Sequence, residues 1–306
     1  YFNNISHGSW GRSLKELALK REKIIRTLKT YSEKKQIMGE IVKNVLKKKT
    51  IGKSKMGKVF LVGAGPGDPE LITAKGLRAI QQADVILHDA LIHPYLVFEI
   101  NSKAKKIFVG KRQDKHSVSQ ESIHSIMIEE VSRGNDVVRL KGGDPFIFGR
   151  GGEEMLAMAQ KDISFEIIPG ITAGLGAAAG FGIPLTHRDD ATSTLFITGH
   201  QCEKSEAQDW EVLAKLNSTL VFYMGIRRLR EIVYGLKENG KDQNTPIAII
   251  QNATLNNQNI ILSTLSAILK EVEKHEELTP SIIIIGEVVD SHFFVRNCIN
   301  SIPSNI

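Results

Sequence analysis

Cysteine is almost missing from this chain. Only Cys202 and Cys298 occur among 306 residues, far apart and without a CxxC pair. That excludes a disulfide framework and a cysteine-rich zinc site, and it suits a reducing compartment. No HExxH or Cys/His spacing makes His187 a metal ligand, so no metal is expected and a hydrogen-bonded core or rim position is. Long apolar runs are missing too: the longest candidate, Ile171 to Leu185, falls short of the ~18 residues of a spanning helix, and glycines at 174, 176, 180 and 182 interrupt it. No membrane partner and a cytoplasmic location are therefore expected. Two phosphate-binding fingerprints are also lacking. A G-x-G-x-x-G starting at Gly63 would need glycine at 68, where Asp68 would oppose a pyrophosphate and Pro66 removes a backbone donor. No G-x-x-x-x-G-K-[ST] occurs anywhere, which disfavours a P-loop. The chain opens at Tyr1 with neither Met nor a signal-peptide pattern, so a processed or partial product is expected.

What is present is the balance of a folded protein of about two domains: 42% hydrophobic and 24% charged residues. The net charge of +6 invites a nucleic-acid reading, but it is unevenly placed. Residues 1–57 hold 15 Lys and Arg against 4 Asp and Glu, whereas residues 58–306 hold 25 against 30. From Ser13 to about Lys49, apolar residues recur at helical steps, and Ser13-Leu14-Lys15-Glu16 has the form of a capping box. Such a basic helical face reads as solvated surface, with no aromatic interleaving to suggest a nucleic-acid partner. Lys47 to Gly57 has linker character.

After Gly57 the texture changes to short β-rich runs separated by helix-length segments. Val59–Val62, Val85–Leu87, Ile107–Val109, Val137–Leu140 and Phe165–Ile168 form one series. Thr194–Thr198, Leu220–Met224, Ile247–Ile250 and Ile282–Ile285 form a second. This alternation predicts two α/β domains with mostly parallel sheets and a ligand cleft between them, preceded by a short helical segment. The boundaries are 1–57 for the basic arm and linker, 58–175 for the first α/β domain and 176–306 for the second.

Three glycine-bearing loops follow strands of the first series and would converge on the carboxyl edge of one parallel sheet, where α/β proteins bind ligands. The first is Gly63-Ala64-Gly65-Pro66-Gly67-Asp68, suited to a ligand that is not a polyphosphate. The second, Arg139 to Glu154, combines glycines and a carboxylate with the cations Arg139, Lys141 and Arg150. The third, Ile168 to Gly174, has small residues that would pack closely on a flat group such as an adenine.

VGAGPGDPELITAKGL (62–77), VRLKGGDPFIFGRGGEE (138–154), IIPGITAG (167–174), GIPLTHRD (182–189) and LVFYMG (220–225) occur in this order. Over residues 58 to 290 the chain thereby resembles the uroporphyrinogen-III C-methyltransferases, within the tetrapyrrole methyltransferases. The resemblance implies the tetrapyrrole methylase fold, S-adenosyl-L-methionine as cofactor with S-adenosyl-L-homocysteine as product, a tetrapyrrole substrate and a homodimer. It places the cofactor on Pro66, Gly142, Gly143, Asp144, Ile147, Thr172, Ala173, Met224 and Ala253. At the last of these the family usually has glycine, so a backbone contact there requires that φ not be positive. It places a proton acceptor at Asp89 and a donor at Lys111; an ion pair with a substrate carboxylate suits an ordinary lysine better.

The acidic substrate rim calls for local cations, with Arg112, Arg150 and Arg188 as substrate-binding candidates and Lys115 and His187 beside them. The expected reaction is methylation of uroporphyrinogen III at two ring positions to give precorrin-2, for siroheme or cobalamin. A later precorrin C-methyltransferase and a non-catalytic cofactor-binding homologue remain alternatives. Leu17 to Asn44 is similar to the helical subdomain of the precorrin-2 dehydrogenase/ferrochelatase module of siroheme synthases.

Overall fold

The computed structural model describes residues 56–110, 119–199 and 208–290. The basic arm, Lys111, Arg112, Lys115 and both cysteines lie outside these residues. Apart from Ala159–Asp162, the described residues belong to one compact unit.

Its first sheet has five strands: β1 (Val59–Gly63), β2 (Val85–His88), β3 (Lys105–Phe108), β4 (Val137–Lys141) and β5 (Phe165–Ile168), in the order β3-β2-β4-β1-β5. Every pairing is parallel, so the carboxyl ends of all five strands share one edge. Alternation along the strands feeds two apolar layers. Val62, Ile86, Val138 and Leu140 pack with Ala79 and Ile80 of α1 (Ala74–Gln82). Val59, Leu61, Val85, Leu87 and Val137 pack with Ile123, Met127 and Val131 of α2 (Gln120–Ser132) and with Met158 of α3 (Gly151–Gln160). Burial on both faces explains why β1 and β2 read as nearly continuous apolar runs. Thr73 and Ser119 set the helix starts, each side chain accepting from a first-turn backbone N–H.

The second sheet departs from the parallel expectation. Its strands are β6 (Thr194–Thr198), β7 (Thr219–Tyr223), β8 (Pro246–Gln251), β9 (Asn259–Thr264) and β10 (Ser281–Ile285), in the order β6-β7-β10-β8-β9. Only β6 and β7 run parallel; β10 is antiparallel to β7 and β8, and β9 to β8. The mixture has a local cause, since a seven-residue connection returns β9 directly beside β8, too short for a crossover helix. With β10 reversed between them, β7 and β8 run the same way, so residues 224 and 252–254 leave the same edge.

One face of this sheet is covered by α5 (Trp210–Lys215) and α6 (Leu229–Glu238), with Leu213, Ile232, Val233 and Leu236 on Phe222, Ile249 and Ile283. The other carries α4 (Ala173–Gly180), whose Ala177 and Ala178 meet Val221, Ile250 and Ile284. The glycine-interrupted run is this helix. A Cβ at Gly174 would lie 2.4 Å from Tyr223 Oη, and one at Gly176 would lie 2.6 Å from the Pro66 ring, so small residues let α4 sit tightly between β7 and the first loop.

Candidate functional site

The strand-end loops are tied to one another by short polar contacts. Gly65 and Gly143 exchange backbone hydrogen bonds (Gly143 N to Gly65 O 2.7 Å; Gly65 N to Gly143 O 3.2 Å), joining the first loop to the second. Both glycines have positive φ, +84° and +68°, a conformation that a side chain would strain. Asp144 joins the second loop to the third: Oδ2 accepts from Gly170 N at 3.0 Å and Oδ1 from Phe146 N at 2.8 Å. A Cβ at Gly170 would stand 2.3 Å from Gly143 O, so this glycine serves backbone packing.

The third loop is held from the second sheet. Tyr223 Oη accepts from Gly174 N at 2.8 Å and lies 2.8 Å from Thr172 Oγ1, with the Phe148 ring tilted on the Tyr223 ring at 4.9 Å. Burial pushes the Tyr223 phenol above its ordinary range, so it stays a neutral hydroxyl. Asp68 N donates to Thr254 Oγ1 at 2.9 Å, which fastens the first loop to the β8–β9 connection.

Of the nine residues the resemblance assigned to the cofactor, most line this junction, and several are occupied by protein. Pro66 packs on Gly176, Thr172 is buried against Tyr223, and Asp144 uses its carboxylate to join loops. Ile147, Ala173 and Ala253 pack on the apolar layer under α4. Of the small residues of the third loop, Gly174 faces Tyr223 and Gly170 faces the backbone of Gly143 and Gly63. Ala253 meets the condition set above: positive φ falls on its neighbours Asn252 (50°) and Thr254 (67°) and not on Ala253. Met224 is 54% exposed with φ 54°.

Gly142 is different. Among the described residues, chain neighbours aside, only Leu91 Cβ, at 3.7 Å, lies within 4 Å of where its Cβ would be. Its φ lies outside the left-handed region, so neither backbone conformation nor packing among the described residues demands glycine there. Open space at the end of β4, next to the exposed apolar Leu91, suits close backbone approach by a bound cofactor.

Asp89 follows β2 on the same edge. It does not cap a helix: its Oδ1 accepts from Arg139 Nη2 at 2.6 Å. Arg139 and Lys141, the strand cations of the second loop, are buried. Arg139 Nε donates to Glu154 Oε1 at 3.0 Å, and Lys141 Nζ lies 2.9 Å from Glu154 Oε2, with Glu154 wholly buried. Burial works against the Arg139 charge, but the Asp89 and Glu154 carboxylates outweigh it and raise its pKa. Next to Asp89, His88 is buried against the Phe98 and Phe108 rings, and desolvation lowers its pKa.

Among the proposed substrate cations, Arg150 is already matched: Nε and Nη2 donate to Glu153 Oε1 and Oε2 at 2.8 and 2.6 Å. Arg188 is exposed and forms no ion pair among the described residues, while the neighbouring His187 Nδ1 lies 3.0 Å from Asp190 Oδ2. A mostly apolar groove of about 890 Å³, walled by Leu175, Ala178, Leu185 and Phe196, runs beside this loop. Tyr223, Thr254 and the Glu154 cluster were missed in sequence. The alternation Val137, Arg139, Lys141 along a strand was the available clue, since it puts both cations on a covered face.

Comparison with known proteins agrees with this architecture. A uroporphyrinogen-III C-methyltransferase of Priestia megaterium is 50% identical over 236 residues, 77% of this chain and 99% of that protein. A siroheme synthase of Actinobacillus pleuropneumoniae serotype 7 is 50% identical over 76% of this chain but 48% of its own length, so the chain spans about half of that longer relative. The structure of uroporphyrin-III C-methyl transferase from Thermus thermophilus complexed with S-adenyl homocysteine matches with a TM-score of 0.66 and 35% identity, covering 77% of this chain and 100% of that one. The model of the Tetrapyrrole (Corrin/Porphyrin) Methylases matches residues 58–269, well over half the sequence, and the chain belongs to that family.

Proposed function

We propose that the chain catalyses S-adenosyl-L-methionine-dependent C-methylation of uroporphyrinogen III at two ring positions, giving precorrin-2 and two S-adenosyl-L-homocysteine. The observation that carries this reading is the unfilled space at Gly142 on the strand edge where Asp89 also emerges. When bound, the cofactor supplies an electrophilic methyl group on a sulfonium sulfur.

The chain's own contribution is alignment, exclusion of water and charge placement. Locked loops fix the backbone around Gly142. As the electron-rich pyrrole carbon takes the methyl, its ring becomes positive, and Asp89 stabilises that charge or accepts the ring proton. Oδ1 is engaged by Arg139, and Oδ2 makes no hydrogen bond among the described residues, so Oδ2 is the acceptor available for this. Arg188, with Lys111 and Arg112, binds the acidic rim of the substrate; Arg150, paired to Glu153, does so only if that pair opens. The enzyme works as a cytoplasmic homodimer, and its product feeds siroheme or cobalamin synthesis.

Incubation with uroporphyrinogen III and S-adenosylmethionine is expected to release S-adenosylhomocysteine and form a dimethylated product. No turnover, with other precorrins methylated instead, would sink this assignment.

A further inference from the structure

Strand β4 carries Val137, Arg139 and Lys141 on one face. Val137 joins the apolar layer under α2 and α3, and the two cations, each 3% exposed, continue that face to the strand end. Two buried cations so placed disfavour each other. Lys141 registers this: burial first, and then Arg139, push its ammonium below the ordinary lysine range. Glu154 pairs with both, and Gln120 Nε2 also donates to its Oε1 at 3.2 Å. One positive charge is still in excess, and Asp89 supplies the balance through Arg139.

Arg139 is thereby fixed at all three nitrogens: Nε by Glu154, Nη1 by Leu140 O at 3.1 Å, Nη2 by Asp89. A planar guanidinium pinned in this way dictates where the carboxylate on its outer end must lie. Asp89 is the one member of the quartet with a substantially exposed side chain, at 32%. Stability alone gives little reason for the arrangement, because apolar residues of similar volume often replace buried ion pairs without loss.

We propose that Arg139, held by Glu154, is a positioning residue for the methyl transfer: it fixes the Asp89 carboxylate through Oδ1 and leaves Oδ2 as the working acceptor. The inference rests on the functional reading above.

The test is a double-mutant cycle on the full chain, with uroporphyrinogen III turnover and calorimetric S-adenosylhomocysteine binding both measured. Arg139→Gln is expected to lower kcat on the order of 10²-fold, the scale of a small misplacement at a reacting centre, while KM and S-adenosylhomocysteine affinity stay within about twofold of wild type. In an Asp89→Ala background the same substitution is expected to cause no further loss, because a residue acting through Asp89 has nothing left to act on. If Arg139→Gln does not fold, Arg139→Lys carries the test, since it keeps the charge beside Glu154 but cannot hold two carboxylates in one planar fork.

Losses that multiply in the double variant, or cofactor affinity falling together with kcat, would assign Arg139 to the fold alone. Wild-type turnover accompanied by an unimpaired Arg139→Gln would overturn the positioning role only. Absence of wild-type turnover would overturn the functional reading and this role together.

Discussion

Gly142→Ala and Gly170→Ala separate a glycine kept for a ligand from one kept for packing. Among the described residues, an added Cβ at Gly142 meets only Leu91 Cβ, at 3.7 Å, an ordinary van der Waals distance, and φ there suits an L-residue. Restricting the unfolded chain then stabilises the protein by about 0.4–1 kcal/mol. For a domain of this size that raises Tm by about 1–4 °C. At Gly170 the same methyl would stand 2.3 Å from Gly143 O and 2.8 Å from the Gly63 backbone, none of it on a flexible side chain. Overpacking of that kind costs about 1–3 kcal/mol, so Tm falls by about 2–12 °C. S-Adenosylhomocysteine binding reads the other half. A methyl group in the Gly142 space displaces a ligand seated there; a penalty of about 1–3 kcal/mol corresponds to roughly 5- to 150-fold in Kd. Thermal denaturation and calorimetric titration of both variants form the assay. A Gly142→Ala protein that is stable and binds S-adenosylhomocysteine like wild type removes Gly142 from the cofactor site.

Two further substitutions probe the frame around the site. Tyr223→Phe leaves Gly174 N and Thr172 Oγ1 without their partner, so urea denaturation should show a loss of about 1–3 kcal/mol; an unchanged midpoint would show that the clamp is dispensable. Glu166, hydrogen-bonded and ion-paired to Lys58 and Lys75, has its carboxyl lowered from 4.5 to about 2. A lowered folded-state value means that the pairs stabilise at neutral pH and that this contribution fades as pH falls from about 4.5 through about 2. The stability difference between wild type and Glu166→Gln should therefore narrow across that window; a difference independent of pH would contradict it.

Much of the fold was legible because a strand buried on both faces must be apolar throughout. VFLVG at β1 and SIIII at β10 therefore announce themselves. β9 did not, for the complementary reason. Its residues NIILST lie on a sheet edge, mostly half-exposed, and they follow a run of Asn and Gln that reads as loop. The pairing directions of the second sheet were hidden as well. An apolar run does not record whether its neighbour runs parallel, and only the short turn between β8 and β9 settles that pair.

The site was legible as a set of loops, but the use of each side chain was not, and the second motif shows why. In RLKGGDPFIFGRGGEE the strand is still running when the cations arrive. Arg139 and Lys141 obey strand alternation and point under α3, toward the Glu154 that ends the same motif. Arg150 lies beyond the loop, where three residues of separation bring it to Glu153 on the first turn of α3. All three cations of the motif are therefore paired within the protein: Arg139 and Lys141 share Glu154, Arg150 takes Glu153, and the remaining charge is met by Asp89. At the strand edge the charge of Arg139 appears as a carboxylate held in place, Asp89. A motif rich in both signs of charge near a binding edge can thus deliver geometry in place of net potential, and burial decides which: each cation of the strand has a fully buried carboxylate within 3.0 Å.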